Sequence, residues 1–101
     1  MARVQATADQ HAEVVSRLCR IPNVGPAMAE DLLRLGIESL EDARGRDPDA
    51  LYEELCALEG VRHDPCVRDV FAAVLDFAHG APAQPWWIYS RERKSRTNGR
   101  G

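Results

Sequence analysis

The sequence predicts an all-α fold of four to five short helices joined by short connections. Apolar residues recur at helical spacing in several segments, and proline or glycine stands where these segments begin and end. No segment alternates apolar and polar residues as a half-buried strand does, and none carries a two-residue hairpin turn. The 101 residues, of which 45% are hydrophobic and 29% charged, have the composition of one globular domain.

The boundaries of each helix follow from local start and stop signals, taken in chain order. The first helix is expected to begin at Thr7 or Asp9 and to bury its apolar positions through Leu18. The second opens at Pro26, because proline suits a first helical position. Each later helix has an acceptor side chain ahead of its first turn, at Ser39, Asp47 and Asp64. Glycines are expected to end three of the helices, at Gly36, Gly60 and Gly80.

Two segments 37 residues apart share a pattern of helix, tight turn and helix. The first reads LCRIPNVGPAMAEDLL and the second LCALEGVRHDPCVRDV. Their matched apolar positions are Leu18 and Leu55, Cys19 and Cys56, Ile21 and Leu58, Val24 and Val61, Ala29 and Cys66, and Leu33 and Val70. Asn23 matches Gly60, and both residue types tolerate the left-handed backbone region. We therefore predict two packed helix-hairpin-helix units, the second with a degenerate turn.

The turn IPNVGPA has the backbone features of a phosphate-binding turn. Val24 is expected to tuck under it, and Gly25 lets a phosphate approach the main chain. The free N–H groups at the start of the following helix can then bind the phosphate, aided by the helix dipole. Such a contact reads no base sequence. The predicted nucleic-acid contacts are the backbones of Asn23, Val24, Gly25 and Ala27 and the side chains of Arg20 and Arg62.

A structural interpretation of the same turn competes with phosphate binding. The turn is also a compact way to pack two helices closely, and Pro26 offers no N–H. Asn23 stands where the usual pattern has a first glycine, and Ala27 stands where DNA-binding copies often carry lysine. The second turn, EGVRH, lacks the second glycine, so Arg62 would have to reach a phosphate by its side chain. The sequence leaves both interpretations open.

Charge is distributed unevenly along the chain. The segment RERKSRTNGRG after Ser90 holds five of the thirteen basic residues and one of the sixteen acidic ones, so its net charge is +4. The preceding ninety residues have a net charge of −7. An acidic body repels a polyanion, and a basic tail attracts one. We expect this tail to be disordered and to act as a solubilising end or as an electrostatic tether for nucleic acid.

The aromatic segment PWWIY precedes the basic tail. Trp86, Trp87 and Tyr89 are expected to fold back and close the helical core, because large aromatic side chains are usually buried or in interfaces. At least one of the two tryptophans should then be mostly buried against the first or last long helix. Binding to a partner or stacking on bases is the alternative.

The spacing of the histidine, cysteine and acidic residues does not predict a metal site or a catalytic site. His63, Cys66, Cys56 and His79 are near one another in sequence, but no CxxC or HxxxH pair is present. Cys56 and Cys66 are instead predicted at core positions, where free cysteine behaves as a small hydrophobe. The acceptor side chains ahead of the helices are better explained as caps than as catalytic groups, and the three histidines are dispersed. We expect no cofactor, no metal and no enzymatic activity.

Hydropathy and charge limit the classes of partner that the protein is expected to bind. No apolar run approaches the length of a membrane span, and the N-terminus lacks a charged-then-apolar signal pattern. We therefore expect a cytoplasmic protein with no membrane contact. Paired acidic residues such as Glu30-Asp31 and Glu53-Glu54 predict acidic helix faces, which disfavour a small anionic substrate. The remaining partners are DNA, bound weakly and without sequence preference, or another protein.

The segments IPNVGPAMAEDLLRLGI, DPDALYEELCALEG and DPCVRDVF, with the closing Trp86-Trp87 pair, occur together in residues 14–88. In this combination the chain resembles the pathogenicity-locus family of small bacterial helix-hairpin-helix proteins, some of which are labelled mitomycin-resistance proteins. The resemblance implies a SAM-like or tandem helix-hairpin-helix fold and a DNA-binding role, and it implies no enzymatic activity. The family turn usually has glycine at the position of Asn23.

Three parts of the chain are predicted: an N-terminal arm at 1–7, a helix-hairpin-helix domain at 8–90 and a basic disordered tail at 91–101. The preferred function is weak, sequence-independent DNA binding through the backbone amides of the turn. The alternative is a protein–protein adaptor that uses the Trp86 and Trp87 region and an acidic helix face.

Overall fold

The computed structural model describes residues 8–99, and that part of the chain is all-helical. It contains six helices: α1 (Ala8–Leu18), α2 (Pro26–Arg34), α3 (Leu40–Ala43), α4 (Pro48–Glu59), α5 (Pro65–Ala78) and α6 (Trp86–Gly99). The all-α prediction is confirmed, with one helix more than the range expected. The extra helix is α6, which occupies the aromatic segment and most of the predicted tail. The predicted arm at 1–7 lies outside the described residues.

Local side-chain caps begin three of the helices, as the sequence predicts. The Ser39 hydroxyl caps α3. The Asp47 carboxylate accepts a hydrogen bond from the Ala50 N–H at 2.9 Å ahead of α4. The Asp64 carboxylate accepts from the Cys66 N–H at 2.8 Å ahead of α5. Each bond satisfies an N–H that has no partner inside its own helix.

Glycine ends α2 and α5 in the predicted way. Gly36 has a left-handed φ of 85°, so its N–H bonds the Leu33 carbonyl at 3.0 Å and the Ile37 N–H bonds the Leu32 carbonyl at 2.9 Å. This pair of bonds is the Schellman arrangement, and it directs the fully buried Ile37 into the core. Gly80 repeats the arrangement after α5.

Helix α5 is central to the packing, because it contacts α3, α4 and α6. Helices α1 and α2 form a second packed pair, and one cluster of apolar side chains joins α1 to α5. Its largest fully buried members are Phe71, Leu18, Leu32, Ile37, Leu51, Leu55 and Val74. Helices α1, α2, α4 and α5 therefore share one hydrophobic core. None of the helices between residues 8 and 99 is long and apolar enough to span a membrane.

The two predicted turns agree in backbone geometry but differ in burial. Asn23 and Gly60 both adopt left-handed φ angles, of 76° and 68°. Val24 is buried, whereas its predicted counterpart Val61 is 54% exposed, and Leu58 beside it is 58% exposed. The two segments therefore share the backbone conformation of the turn but not its burial. A left-handed residue sets the local bend, but burial depends on the elements that pack over it.

A buried ion pair fixes α6 against α5. Asp69 is fully buried on α5, and its carboxylate accepts hydrogen bonds from Arg93 Nε at 3.0 Å and from Arg93 Nη2 at 2.9 Å. The Ser90 hydroxyl donates to the same carboxylate, and Arg68 Nη1 lies 3.5 Å from it. The structure corrects the prediction of a disordered tail, because residues 91–99 continue α6. The buried partner of Arg93 explains why this basic segment is anchored.

Candidate functional site

The chain between α1 and α2 forms a tight turn, residues 19–25, which we name the α2 turn. The Ile21 N–H bonds the Leu18 carbonyl at 3.0 Å, and the Val24 N–H bonds the Ile21 carbonyl at 3.1 Å. Asn23 takes the left-handed conformation within this turn. Val24 is buried under it, as predicted, but its N–H is already bonded. Val24 therefore contributes packing, and its amide is occupied by the turn itself.

Helix α2 begins without a side-chain cap. Gly25 occupies the cap position with extended backbone angles, φ −98° and ψ −177°, and Pro26 follows with no N–H. The Ala29 N–H donates the first bond of the helix, to the Gly25 carbonyl at 2.9 Å. The N–H groups of Ala27 and Met28 precede that bond, so neither has a partner inside the helix. We name these two amides the open N-terminus of α2.

Nothing in the described part of the chain requires a glycine at position 25. The φ of Gly25 is one that any residue adopts, and a Cβ placed there would meet no heavy atom within 4 Å. Gly25 and the neighbouring Ala27 are both exposed. The missing side chain therefore leaves the open N-terminus of α2 uncovered, at a position where serine or aspartate would cap it.

The Asn23 side chain ties the α2 turn to the start of α6. Its Nδ2 donates to the Gln84 carbonyl at 2.7 Å, and its Oδ1 accepts from the Trp86 N–H at 3.1 Å. Asn23 therefore caps α6 from 63 residues away in the chain. Helices α4 and α5 each begin at the proline of an Asp-Pro pair, whereas α6 begins after Gln84-Pro85 and has no local acidic cap. This role of Asn23 was not predicted from the sequence, and the absence of a local cap ahead of α6 is the signal that could have revealed it.

The two predicted cationic side chains differ in their surroundings. Arg20 is exposed, and its guanidinium makes no hydrogen bond or ion pair within the described part of the chain. Arg62 pairs with Glu53 at 3.0 Å and lies 5.6 Å from the ring centre of Tyr52. The charge of Arg62 is therefore balanced locally, whereas that of Arg20 faces solvent.

Arg20 and Arg62 also lie at opposite ends of α2. Arg34, at the C-terminal end of α2, pairs with Glu59 at the end of α4. The second turn therefore lies beside the C-terminal end of α2, which is about 12 Å along the helix axis from Pro26. Arg20 therefore lies in the α2 turn, whereas Arg62 lies in the second turn, near the other end of α2.

A groove of about 770 Å³ runs along α6, and we name it the α6 groove. Its lining includes Trp86, Trp87, Arg91 and Lys94. Trp86 is half-buried, whereas Trp87 is 51% exposed and has the Arg91 guanidinium 5.6 Å from its ring centre. The structure therefore corrects the expectation that the two tryptophans close the core, since neither belongs to the apolar cluster shared by α1 to α5. Because Asn23 bonds the Trp86 N–H, the groove adjoins the α2 turn.

The cysteines are free thiols that differ in burial. Cys56 is buried in the core, as predicted, whereas Cys66 is half-buried and lines the α6 groove. The predicted core position of Cys66 is therefore wrong, because this residue stands at the start of α5. The Asp64 side chain that caps α5 raises the pKa of the Cys66 thiol, which makes it a poor nucleophile at neutral pH. Within the described range, no three His, Cys, Asp or Glu side chains are grouped to hold a metal ion.

The fold and the α2 turn define a small α-helical protein with a shared core and an open helix N-terminus. The chain belongs to the Cdd1 family, described as "Pathogenicity locus", whose profile matches residues 11–95. It is also similar to a Streptomyces lavendulae protein described as "Mitomycin resistance protein McrB", with 43% identity over 86 residues, or 85% of this chain and 82% of the relative. The family resemblance drawn from the sequence motifs is thus confirmed. No solved structure is significantly similar to the chain.

Proposed function

We propose that the protein is a non-enzymatic cytoplasmic module that binds DNA weakly and without sequence preference, through a phosphate held at the α2 turn. The open N-terminus of α2 is the observation that supports this function. Unbonded N–H groups at a helix N-terminus attract anions, because the partial charges of the amides and the helix dipole act together.

The surroundings of these amides favour an anion from outside the chain. Gly25 has no side chain that could fill the site, and the Asn23 carboxamide is committed to α6. Arg20 is exposed on the same turn, so its charge can assist a neighbouring phosphate. Backbone amides bind a phosphate without reading bases, which gives binding with no sequence preference.

Binding is expected to be weak, because few cations take part. About two or three phosphate contacts predict a Kd in or above the range of roughly 10⁻⁴–10⁻⁶ M and a log–log salt slope of about −2 to −3. Fluorescence anisotropy of a labelled duplex, titrated with the protein at two salt concentrations, measures both quantities.

Replacing Gly25 with aspartate is expected to abolish duplex binding while the fold stays intact. The new carboxylate would accept hydrogen bonds from the open N-terminus of α2 and would repel a phosphate. Because the backbone angles suit aspartate and the site is open, the melting temperature should stay level or rise. Gly25→Ala is the matched control, since it adds a Cβ without charge or cap and should bind like the wild type. If Gly25→Asp binds duplex as the wild type does, the α2 turn is a packing device.

The basic residues of α6 are a second source of attraction for DNA and need a separate test. Deleting residues 91–101 would also remove Arg93, which anchors α6. Replacing the exposed Arg91 and Lys94 with glutamine leaves that anchor in place. If this double variant loses all duplex binding while Gly25→Asp loses none, only α6 contacts DNA.

A protein–protein adaptor is the second candidate function, and exposed apolar side chains support it. Leu58, in the last turn of α4, is 58% exposed, and Val61, just after α4, is 54% exposed. Trp87 on α6 is 51% exposed. Glu53 and Glu54 are exposed on α4 and give it an acidic face. Large exposed apolar side chains beside polar ones are typical of protein interfaces. If no form of the protein binds DNA at low salt, this function becomes the better supported one.

A further inference from the structure

The α6 groove combines an exposed aromatic ring with cations that the proposed phosphate site does not use. Trp87 is 51% exposed, and the Arg91 guanidinium lies 5.6 Å from its ring centre. Lys94 lines the same groove and is exposed. The charged side chains among the described lining residues are both cations, although the whole chain has a net charge of −3. This lining suits an anionic ligand that carries flat rings.

Two carboxylates beside the groove, Asp64 and Asp69, form no ion pair with Arg91 or Lys94 among the described residues. Asp64 is committed as the cap of α5, and its hydrogen bond from the Cys66 amide lowers the pKa of its carboxyl group, with Arg93 and Lys94 adding to the effect. Asp69 is fully buried and paired with Arg93. Lys94 is exposed and interacts with Asp64 only at longer range, so its ammonium group can still contact a ligand in the groove.

We infer that the α6 groove binds single-stranded nucleic acid, with an unpaired base stacked on Trp87 and the adjoining phosphates on Arg91 and Lys94. Aromatic side chains in a basic groove bind single strands without sequence preference, because every base has a face that can stack. A duplex keeps the faces of its bases stacked on one another, so it cannot use Trp87 in this way.

This inference rests on the proposed function, because the groove adjoins the α2 turn and would hold the same strand. The Asn23 carboxamide bonds the Trp86 N–H, and Trp86 lines the groove beside Trp87. A strand with a phosphate at the open N-terminus of α2 would then extend past Trp86 to reach Trp87. Together the two contacts select an unpaired strand over a duplex.

Titrations of the full chain with labelled oligo(dT), labelled oligo(U) and a duplex of equal length test the inference. Both single strands are expected to quench tryptophan fluorescence and to bind about ten-fold more tightly than the duplex. Trp87→Leu should weaken single-strand binding about ten-fold and leave duplex binding unchanged. Trp87→Phe keeps a ring and should retain most of the affinity. Leu58→Ala removes another exposed apolar side chain and should change neither affinity.

The variants Gly25→Asp and Trp87→Leu separate a failure of the groove inference from a failure of the proposed function. If Gly25→Asp leaves oligo(dT) binding intact while Trp87→Leu weakens it, the groove binds single strands and the phosphate site does not exist. If Gly25→Asp removes binding while Trp87→Leu changes neither affinity nor quenching, the groove inference is overturned and the proposed function stands. If poly-glutamate binds the groove more tightly than either oligonucleotide, the groove is a protein-binding surface and the inference is overturned.

Discussion

Replacing Arg93 with methionine is expected to lower the free energy of unfolding by about 3 kcal/mol. The change removes the bidentate partner of the fully buried Asp69 carboxylate and leaves only Ser90 and the more distant Arg68 beside it, and a poorly compensated buried charge is strongly destabilising. Chemical denaturation of the variant and the wild type measures the difference. Arg91→Met is the matched control, because Arg91 is exposed on the same helix and its loss should change stability by less than about 0.5 kcal/mol.

The same ion pair predicts how stability depends on pH. Burial alone would raise the pKa of Asp69, but hydrogen bonds from Arg93 and Ser90 hold it below its usual value. A carboxyl group with a lowered folded-state pKa stabilises the fold above the unfolded pKa, about 3.9, and this stabilisation is lost as pH falls through the folded pKa. The stability gap between the wild type and Arg93→Met should therefore narrow below about pH 4. A gap that stays constant with pH would contradict the role given to this pair.

Ending the chain at Gly80 is expected to lower the melting temperature by at least about 10 °C. The truncation removes α6, and with it the half-buried Trp86 and the hydrogen bond of 2.9 Å from Tyr89 to Asp76. It also removes Ser90 and Arg93, the partners of Asp69 on α6, and exposes the face of α5 that α6 covers. A thermal scan followed by circular dichroism measures the change.

A chain that ends at Ser95 is the control for this truncation. It keeps Trp86, Tyr89 and Arg93 with their contacts, so it should melt close to the full chain. An unchanged melting temperature after truncation at Gly80 would show that α6 adds nothing to the core. The two tryptophans would then belong to a partner surface.

Helix ends could be predicted from the sequence because the chemistry that sets them is local. Asp47 and Asp64 bond N–H groups two or three residues further on, and Gly36 permits the left-handed stop of α2. The uncapped start of α2 follows from the same rules, since Gly25 has no side chain to accept a bond and Pro26 has no N–H to donate.

The contacts that position the α2 turn and α6 join residues far apart in the chain. Rules based on neighbouring residues therefore cannot predict these contacts. Asn23 bonds Trp86 across 63 residues, and Arg93 bonds Asp69 across 24. Asp69 does interrupt the apolar stretch of α5, so the sequence signals that a partner is needed without naming it. The exposure of Val61 depends in the same way on which elements pack over its turn.

The separation of Asp69 from its partners along the chain has a consequence for synthesis on the ribosome. Chains fold as they emerge, N-terminal segments first, so α1 to α5 leave the ribosome before Ser90 and Arg93. Until then Asp69 carries an unpaired charge at a position that is buried in the finished fold, and hydration of that charge opposes closure of the core. We therefore expect the side of α5 that carries Asp69 to remain hydrated in the nascent chain until α6 packs on it.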